Sequence, residues 1–253
     1  MTDQPIEQRV PRARGQLART AIRGIQAALL AGNEVACPCC GRTFRRFLAY
    51  GDPPRASVRC PVCGSLERHR AIWLYLTGPS GVLDRPCEVL DVAPAPFLGD
   101  LLARRPGVKY LSIDLASPVA MRQMDVTRLD LPDATYDLVL CSHVLEHVPD
   151  DRAAMRELLR VLRPGGMAIL QTPWAPDESA TDEDATIADA HERERRFGQA
   201  DHVRRYGRDL LERLAEAGWS IELIDVVSAF GSHAVARHRL ATDDPIMLGR
   251  HPA

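Results

Sequence analysis

Four cysteines form the most specific chemical pattern in the 253-residue sequence. They lie in two copies of the pentapeptide CPxCG, Cys37–Gly41 and Cys60–Gly64, with 19 residues between Cys40 and Cys60. Two thiolates three positions apart on a tight turn can both face one ion, and the glycine lets the backbone close the turn. Because four thiolates complete a tetrahedron, the pattern predicts a structural zinc ion. Its predicted ligands are Cys37, Cys40, Cys60 and Cys63, and Cys39 is expected to take no part.

Two aspartates at the ends of predicted strands form a second candidate site. Asp91 lies near the carboxyl end of Glu88–Val92, and Asp114 ends Tyr110–Asp114, 23 residues after Asp91. In Rossmann-type sheets a carboxylate about 20 residues after such a start holds a ribose diol. The loop Val92–Gly99 has one glycine, and its two prolines lack N–H donors. The loop therefore argues against a dinucleotide pyrophosphate, and less against a cofactor without phosphate.

A polar turn follows the next predicted strand, Asp137–Cys141. This turn, Ser142–Pro149, carries two histidines and a glutamate at the carboxyl end of a strand, where open α/β sheets bind ligands. A helix is predicted to begin at Asp150 or Asp151 and to end at Pro164-Gly165-Gly166. The apolar run that follows completes a β-α-β unit.

The wider pattern alternates strands with helices, which predicts an α/β fold with a largely parallel sheet. Further strands are predicted at Met124–Val126, Met167–Gln171, Ile221–Val227 and Ala234–Arg237. Helices are predicted at Gln16–Leu30, Ser65–Leu76, Pro96–Arg104 and Arg208–Ala217. The apolar stripe of the first helix is expected to pack against the protein. Pro173–Tyr206 is long, polar and acidic, and it interrupts the alternation.

Composition indicates a soluble globular protein, with 26% charged and 45% hydrophobic residues. No apolar run approaches the roughly 20 residues of a membrane span, so no membrane partner is expected. The first 15 residues lack the apolar core of a secretory signal, and disorder is predicted there. Two CPxCG pairs among seven cysteines favour metal binding in a reducing compartment, so a cytoplasmic location is predicted.

Charge is distributed unevenly along the chain. Residues 1–75 contain 12 Arg and 5 Asp/Glu, a balance of +7, and residues 76–253 contain 20 Lys/Arg and 29 Asp/Glu, a balance of −9. A basic end can bind nucleic acid or another acidic partner, but it can also dock on its own acidic neighbour. The sequence leaves both interpretations open.

Several of these segments together carry a family resemblance. EVLDVAP, YLSIDL, MDVTRLDLPDATYDLVLCSHVLEHVPD and RELLRVLRPGGMAIL occur in the order seen in class I S-adenosylmethionine-dependent methyltransferases of the methyltransferase type 11 group. The chain resembles that family over about residues 86–237. It is most similar to a subgroup that joins CPVCGSLERHR to a late block, here Phe197–Gly207. The resemblance implies a Rossmann-like fold, with a seven-stranded, mostly parallel sheet and a small N-terminal zinc ribbon.

The resemblance also implies roles for particular residues. S-adenosylmethionine is expected to bind Asp91, Ala93, Asp114, Asp125, Val126, Ser142 and His143. In this arrangement Asp114 holds the ribose hydroxyls and Asp125 the adenine amino group. His143 and His202 are the candidate catalytic bases, because the intrinsic pKa of histidine suits that task. Substrate contacts are expected from His147, Arg204 and Tyr206.

The predicted organisation has three parts. Residues 1–32 form an arm and a helix, residues 33–78 the zinc ribbon with its connecting helix, and residues 79–253 the methyltransferase domain, in which an insertion at 173–206 covers the substrate. The predicted function is methyl transfer to an O, N or C nucleophile of a small-molecule acceptor. The alternatives are an RNA or protein methyltransferase that grips its substrate with the basic ribbon, and a non-catalytic binding module with this fold.

Overall fold

The computed structural model describes residues 22–252. The described residues form the strands β1 (Ala31–Ala36), β2 (Thr43–Phe44), β3 (Leu48–Tyr50), β4 (Arg55–Arg59), β5 (Cys87–Val92), β6 (Val108–Asp114), β7 (Arg122–Gln123), β8 (Tyr136–Cys141), β9 (Leu162–Ile169), β10 (Asp182–Glu183), β11 (Arg204–Arg205), β12 (Ser220–Ile224) and β13 (Ile246–Arg250). The helices are α1 (22–29 within the described residues), α2 (Glu67–Thr77), α3 (Pro96–Ala103), α4 (Asp151–Val161), α5 (Ala190–Phe197), α6 (Leu210–Glu216) and α7 (Val226–His238).

Seven strands form the main sheet in the order β12-β13-β9-β8-β5-β6-β7. β5 pairs in parallel with β6 and β8, and these pair in parallel with β7 and β9. β13 lies between β9 and β12 and is antiparallel to both. The prediction of a seven-stranded, mostly parallel Rossmann-like sheet is therefore confirmed. Strand order reverses between β5 and β8, and in such sheets the crevice at that reversal binds ligands.

The sheet is covered by helices on both faces, which explains why its central strands are almost entirely buried. In β5 and in β8, five of six residues are buried. One core joins Leu90 and Val139 to α4 and α6, and the other joins Val89 and Leu138 to α2, α3 and α7. α4 begins as predicted, because Asp150 accepts a hydrogen bond from the Ala153 N–H at 2.9 Å.

Two predicted strands need correction, and one strand was not predicted. The short third strand lies at Arg122–Gln123 and not at Met124–Val126, because Asp125 accepts two hydrogen bonds from Thr127 and turns the chain. The segment Ala234–Arg237 is helical, because it lies in the part of α7 that follows a kink at Gly231, where φ is 78°. The strand β13 was not predicted, because its apolar run is short and lies next to Pro245.

The first predicted helix also differs from expectation. Its described part, 22–29, is helical, but the stripe residues Ile22, Ile25 and Leu29 are exposed instead of packed. The rest of that helix and the predicted N-terminal arm, residues 1–15, lie outside the described residues. The division into domains at residues 32 and 78 stays a prediction.

Arg70 joins the cysteine-bearing segment to the main sheet. Its side chain is fully buried and packs over the ring of Phe47. The guanidinium donates to the carbonyls of Val58 and Ser65 at 2.9 and 2.8 Å. It also donates to the carbonyls of His238 and Arg239, at the end of α7, at 2.6 and 2.9 Å. One side chain therefore satisfies four backbone acceptors drawn from two parts of the chain.

None of the helices within residues 22–252 is both long enough and apolar enough to cross a membrane.

Replacement of Arg70 by Met is expected to lower the free energy of unfolding by on the order of 3 kcal/mol, because four carbonyls lose a charged donor. Chemical denaturation measures this loss. Arg46→Met, which changes an exposed arginine of the same segment, is the matched control and should change stability little. Equal stability of the two variants would contradict the role assigned to Arg70.

Candidate cofactor and zinc sites

A cavity of about 680 Å³ opens at the carboxyl ends of β5, β6 and β8. Six residues that were predicted to bind cofactor or substrate line it together: Ala93, Asp114, Asp125, Val126, His143 and His147. Parallel pairing of the three strands brings their carboxyl ends to one edge, which is why residues distant in sequence meet here. One oxygen of Asp114 accepts the N–H groups of Ala116 and Ser117, at 2.8 and 2.7 Å. These bonds fix the carboxylate at the cavity wall.

Two lining residues adopt a backbone conformation that is uncommon for side chains other than glycine. Ala93 has φ of 53° and His143 has φ of 58°. Ala93 follows β5 directly, and His143 lies two residues after the end of β8. The His143 N–H donates to the carbonyl of Gln171 at 2.7 Å, which helps to hold this geometry. Ala93 thus takes a left-handed conformation that a glycine-rich loop would adopt without strain.

Asp91 is buried at the end of β5 and is held by Tyr110. The Tyr110 hydroxyl donates to Asp91 Oδ2 at 2.8 Å. Burial raises the pKa of Asp91 to about 7, although the Tyr110 hydrogen bond acts to lower it. Gly99 makes this contact possible, because a Cβ there would lie 2.5 Å from the Tyr110 oxygen. Sequence reasoning missed Tyr110, since only the lone glycine of α3 hints at its position.

A smaller cavity of about 160 Å³ lies beside the first, and both share Val92 and Ala93. Its wall includes Asp91, Ser142 and, from α2, Arg68 and His69. Arg68 Nε and Ser142 Oγ are buried and have no hydrogen-bond partner among the residues described. Buried polar atoms normally have partners, so these two atoms indicate a missing ligand.

His69 supplies a further donor to this smaller cavity. Its Nδ1 accepts the Leu66 N–H at 3.1 Å, so in the neutral ring the proton lies on Nε2. Burial and then the neighbouring Arg68 lower the pKa of His69 to about 3, which keeps the ring neutral. The cavity therefore sets donors from Arg68, His69 and Ser142 beside the carboxylate of Asp91.

A third cavity, of about 320 Å³, shares Arg68 with the smaller cavity and His143 with the largest one. Its wall comes from α2, from the segment Thr172–Trp174 and Pro176, and from Ala241, Asp243 and Asp244. Burial raises the pKa of Asp244, which accepts a hydrogen bond from Gln171 at 2.6 Å. The three cavities thus share wall residues in pairs, and His143 and Arg68 lie where they join.

The late block places its predicted functional residues differently from expectation. Arg204 is buried and donates to the carbonyls of Leu145, Val148 and Pro149. Tyr206 is also buried, and its hydroxyl donates to Asp151 at 2.8 Å. The polar atoms of both residues make hydrogen bonds with other protein groups, and neither residue lines a cavity described above. Both bind the late block to the polar turn, so their polar atoms bond to backbone carbonyls and Asp151 instead of facing a cavity.

His202 is buried behind the largest cavity and does not line it. Its Nδ1 lies 3.0 Å from the carbonyl oxygen of Phe197, and its ring centroid lies 4.7 Å from that of His147. His143 lies 3.2 Å from Glu146 across the turn. Burial acts to raise the pKa of Glu146, but His143 and the Thr172 hydroxyl outweigh it, so that pKa is below its ordinary value. Of the two candidate bases, only His143 borders the cavity.

Four cysteines form a compact cluster in the ribbon. The Sγ atoms of Cys37, Cys40, Cys60 and Cys63 all lie within 4.8 Å of one another. The distances are 3.6 Å for Cys37–Cys63 and 3.7 Å for Cys40–Cys60. A tetrahedral zinc ion with Zn–S bonds of about 2.3 Å separates its sulfurs by about 3.8 Å, whereas a disulfide joins them at about 2.05 Å. The cluster therefore fits zinc and not a disulfide.

Both cysteine turns have the same backbone geometry. The N–H of Gly41 donates to the Cys37 carbonyl at 2.9 Å, and the N–H of Gly64 donates to the Cys60 carbonyl at 3.0 Å. Both glycines have positive φ, 70° and 80°. Cys39 lies outside the cluster, with its sulfur 4.0 Å from the His69 carbonyl. The geometry thus supports the predicted ligand set and excludes the neighbouring thiol.

Comparisons with known proteins support the fold and a methyltransferase domain. A family model described as a methyltransferase domain matches residues 101–170. An uncharacterized methyltransferase of Mycobacterium sp. (strain JLS) is 37% identical over 99 residues, which cover 34% of this chain and 39% of the relative. A trans-aconitate 2-methyltransferase of Azoarcus sp. (strain BH72) is 31% identical over 108 residues, 38% of this chain and 43% of the relative. The chain thus spans about two fifths of the length of these curated relatives.

Solved structures extend the likeness beyond the matched segment. YcgJ of Bacillus subtilis superposes with a TM-score of 0.50 at 17% identity, over 73% of this chain and 99% of that chain. The 1,6-didemethyltoxoflavin-N1-methyltransferase of Burkholderia thailandensis gives a TM-score of 0.50 at 14% identity, over 100% of this chain and 94% of that chain. These similarities confirm the predicted methyltransferase fold. The prediction of a zinc ribbon rests on the geometry of the cysteines alone, because the family model does not reach them.

The zinc assignment predicts about one tightly held zinc ion per chain. Cys60→Ser is expected to retain at least tenfold less zinc through gel filtration and to unfold the ribbon, because metal binding and folding are coupled. Cys39→Ser is the matched control and should retain zinc like the wild type. Elemental analysis and thermal unfolding measure both effects. A wild-type protein that is folded and metal-free would refute the assignment.

The buried Asp91 predicts a specific dependence of stability on pH. Its folded pKa of about 7 exceeds its ordinary value of 3.8, so between these values the folded state holds a proton that the unfolded state lacks. Stability is therefore expected to fall as pH rises from 4 to 7, by about 4 kcal/mol from this group.

Asp91→Asn should remove this decrease and stabilise the protein at pH 8 relative to wild type. Tyr110→Phe should enlarge the decrease, because it removes the donor that lowers the Asp91 pKa. Urea denaturation at several pH values measures both. Identical pH profiles for wild type and Asp91→Asn would contradict the assignment.

Proposed function

We propose that the protein is an S-adenosylmethionine-dependent methyltransferase that acts on a small-molecule acceptor. The observation that carries the proposal is the smaller cavity, where donors from Arg68, His69 and Ser142 stand beside the carboxylate of Asp91. The amino-acid end of S-adenosylmethionine needs this combination, because it has one carboxylate and one ammonium group. The volume of this cavity, about 160 Å³, also suits such a group better than a pyrophosphate.

The residues of the largest cavity fit the rest of the cofactor. Asp114 and Asp125 offer carboxylate oxygens for the ribose hydroxyls and the adenine amino group, and Val126 offers an apolar surface for the ring. Ala93 borders both cavities, so one molecule could extend across them. Bound there, the cofactor would supply a methyl group on a sulfonium sulfur, which leaves with the electron pair of the C–S bond.

The protein's own contribution to methyl transfer is alignment, exclusion of water and acceptance of a proton. His143 borders both the largest cavity and the third one, so it is the proposed base for an acceptor that carries a proton. Glu146, 3.2 Å away, would stabilise the imidazolium that forms. Because the backbone of His143 is fixed, its imidazole ring is held in one orientation.

The third cavity is the proposed acceptor site. Its volume of about 320 Å³ suits a small molecule, and its wall mixes Arg55 and Arg68 with acidic residues and Trp174. Such a wall favours an acceptor with polar groups and a flat apolar part. A relative named for trans-aconitate is in accord with a small acceptor. We also propose a cytoplasmic location, since the four clustered thiols require reducing conditions.

A macromolecular acceptor is the second candidate. Arginines line two cavities between α1 and the ribbon: Arg45 and Arg46 line the first, and Arg23 and Arg59 line the second. These positive charges could hold RNA or an acidic protein segment. RNA that copurifies with the protein and is released as salt rises would favour this candidate, whereas its absence at low salt would favour the small molecule.

Calorimetric titration with S-adenosylmethionine, S-adenosylhomocysteine and 5′-methylthioadenosine tests the proposal. Arg68→Met is expected to weaken both amino-acid-bearing ligands by about 10- to 100-fold, as for loss of one charge-assisted hydrogen bond. It should leave 5′-methylthioadenosine, which has no carboxylate, unchanged. Arg46→Met is the matched control and should bind all three ligands like the wild type. No binding of any of them at millimolar concentration would overturn the proposal and leave a non-catalytic module.

A further inference from the structure

Three buried or half-buried side chains converge at the edge of the largest cavity. Glu146, His147 and His202 each offer one ligand atom, and these atoms lie within 4.8 Å of one another. Glu146 is 1% exposed and His202 is 4% exposed. They come from two segments, the polar turn after β8 and the late block. The Val203 N–H donates to the Glu146 carbonyl at 2.9 Å and holds these segments together.

The hydrogen bonds of the two imidazole rings determine where their lone pairs lie. His202 Nδ1 lies 3.0 Å from the carbonyl oxygen of Phe197, and a carbonyl oxygen only accepts, so Nδ1 carries the proton. Nε2 of His202 is then an acceptor, and it is buried with no partner within the described part of the chain. His147 Nδ1 lies 3.3 Å from the carbonyl of Asp201, which likewise leaves its lone pair on Nε2.

The carboxylate of Glu146 adds a third acceptor. Oε2 accepts the Thr172 hydroxyl at 2.7 Å. Oε1 is buried and makes no hydrogen bond with the described residues, although His143 Nδ1 lies 3.2 Å from it at ion-pair distance. A buried acceptor without a donor costs about 1–3 kcal/mol. Glu146 Oε1 and His202 Nε2 are two such atoms, and a lone pair of His147 lies beside them. This arrangement indicates that an electrophile binds between the three side chains.

We propose that Glu146, His147 and His202 bind a divalent transition-metal ion. Two imidazoles and one carboxylate form a donor set that suits zinc, iron or manganese. The Nδ1–H of each histidine donates a hydrogen bond to a backbone carbonyl, as the second ring nitrogen of metal-ligating histidines generally does. Three protein ligands leave coordination positions open, which separates this site from the closed four-cysteine cluster.

The site lies at the edge of the largest cavity. His147 lines that cavity, as do its neighbours His143 and Asp201. An ion there would border the cavity proposed for the cofactor, whereas none of the three ligands lines the third cavity, which is the proposed acceptor site. The metal site itself does not depend on methyl transfer.

Titration of Mn²⁺ into the zinc-loaded, full-length protein tests the site, because Mn²⁺ is not expected to displace zinc from four thiolates. Calorimetry should give one Mn²⁺ per wild-type chain. His202→Gln and His147→Gln should each weaken binding at least tenfold. His191→Gln, which changes a fully exposed histidine of the same insertion, is the matched control and should bind like the wild type.

The outcomes separate the two proposals. If neither Mn²⁺ nor added Zn²⁺ binds beyond the four-cysteine site, buried water fills the position and the metal site is refuted. Unchanged binding by His202→Gln and His147→Gln refutes it as well. Because His147 is partly exposed, its variant tests the site even where His202→Gln fails to fold. Metal binding without S-adenosylmethionine binding would refute the proposed function and retain the site.

Discussion

The guanidinium of Arg204 holds together the two segments on which the candidate site depends. It donates to three carbonyls of the turn after β8 and forms an ion pair with Glu183 at 2.9 Å. Arg213 donates to the same Glu183, and first this bond and then that of Arg204 lower the pKa of Glu183 to about 2. This clamp supplies donors to carbonyls of the turn and, together with the Val203 N–H and the Tyr206 hydroxyl, fixes the late block over the turn. The positions of His143, His147 and His202 relative to one another follow from it.

Within residues 22–252, four buried side-chain atoms have no hydrogen-bond partner. Arg68 Nε and Ser142 Oγ face the smaller cavity, and Glu146 Oε1 and His202 Nε2 lie behind the largest one. A folded protein normally satisfies such atoms, so the exceptions mark where other molecules or ions are needed. The first pair consists of donors beside an aspartate, and the second consists of acceptors. The two groups therefore call for ligands of opposite character.

Much of the fold could be predicted from the sequence, because central strands buried on both faces are read directly from continuous apolar runs. The ligand cysteines and the aspartates at strand ends could also be predicted, since local spacing and strand order determine them. The roles of Arg204 and Tyr206 could not be predicted, because the sequence of a capping segment does not show whether a polar side chain faces a substrate or a backbone carbonyl. Tyr110 was missed for a related reason, since its contact with Asp91 crosses between strands. The strand β13 was not predicted, because its pairing with β12 and β9 specifies it and its own hydrophobic pattern does not.

The position of Arg68 and Arg70 on one helix changes how the ribbon should be regarded. Along the sequence the cysteine-bearing segment looks like a separable attachment, yet α2 contributes walls to two of the three cavities and Arg70 bonds to the end of α7. Asn33 is likewise bonded by Arg237. The boundary between the ribbon and the methyltransferase domain along the sequence therefore differs from the boundary of the binding crevice, to which both contribute. A shortened protein that begins after α2 would lose one side of its own binding crevice and part of the core on one face of the sheet, and a chimera with a foreign ribbon would inherit the foreign residues at the centre of the site.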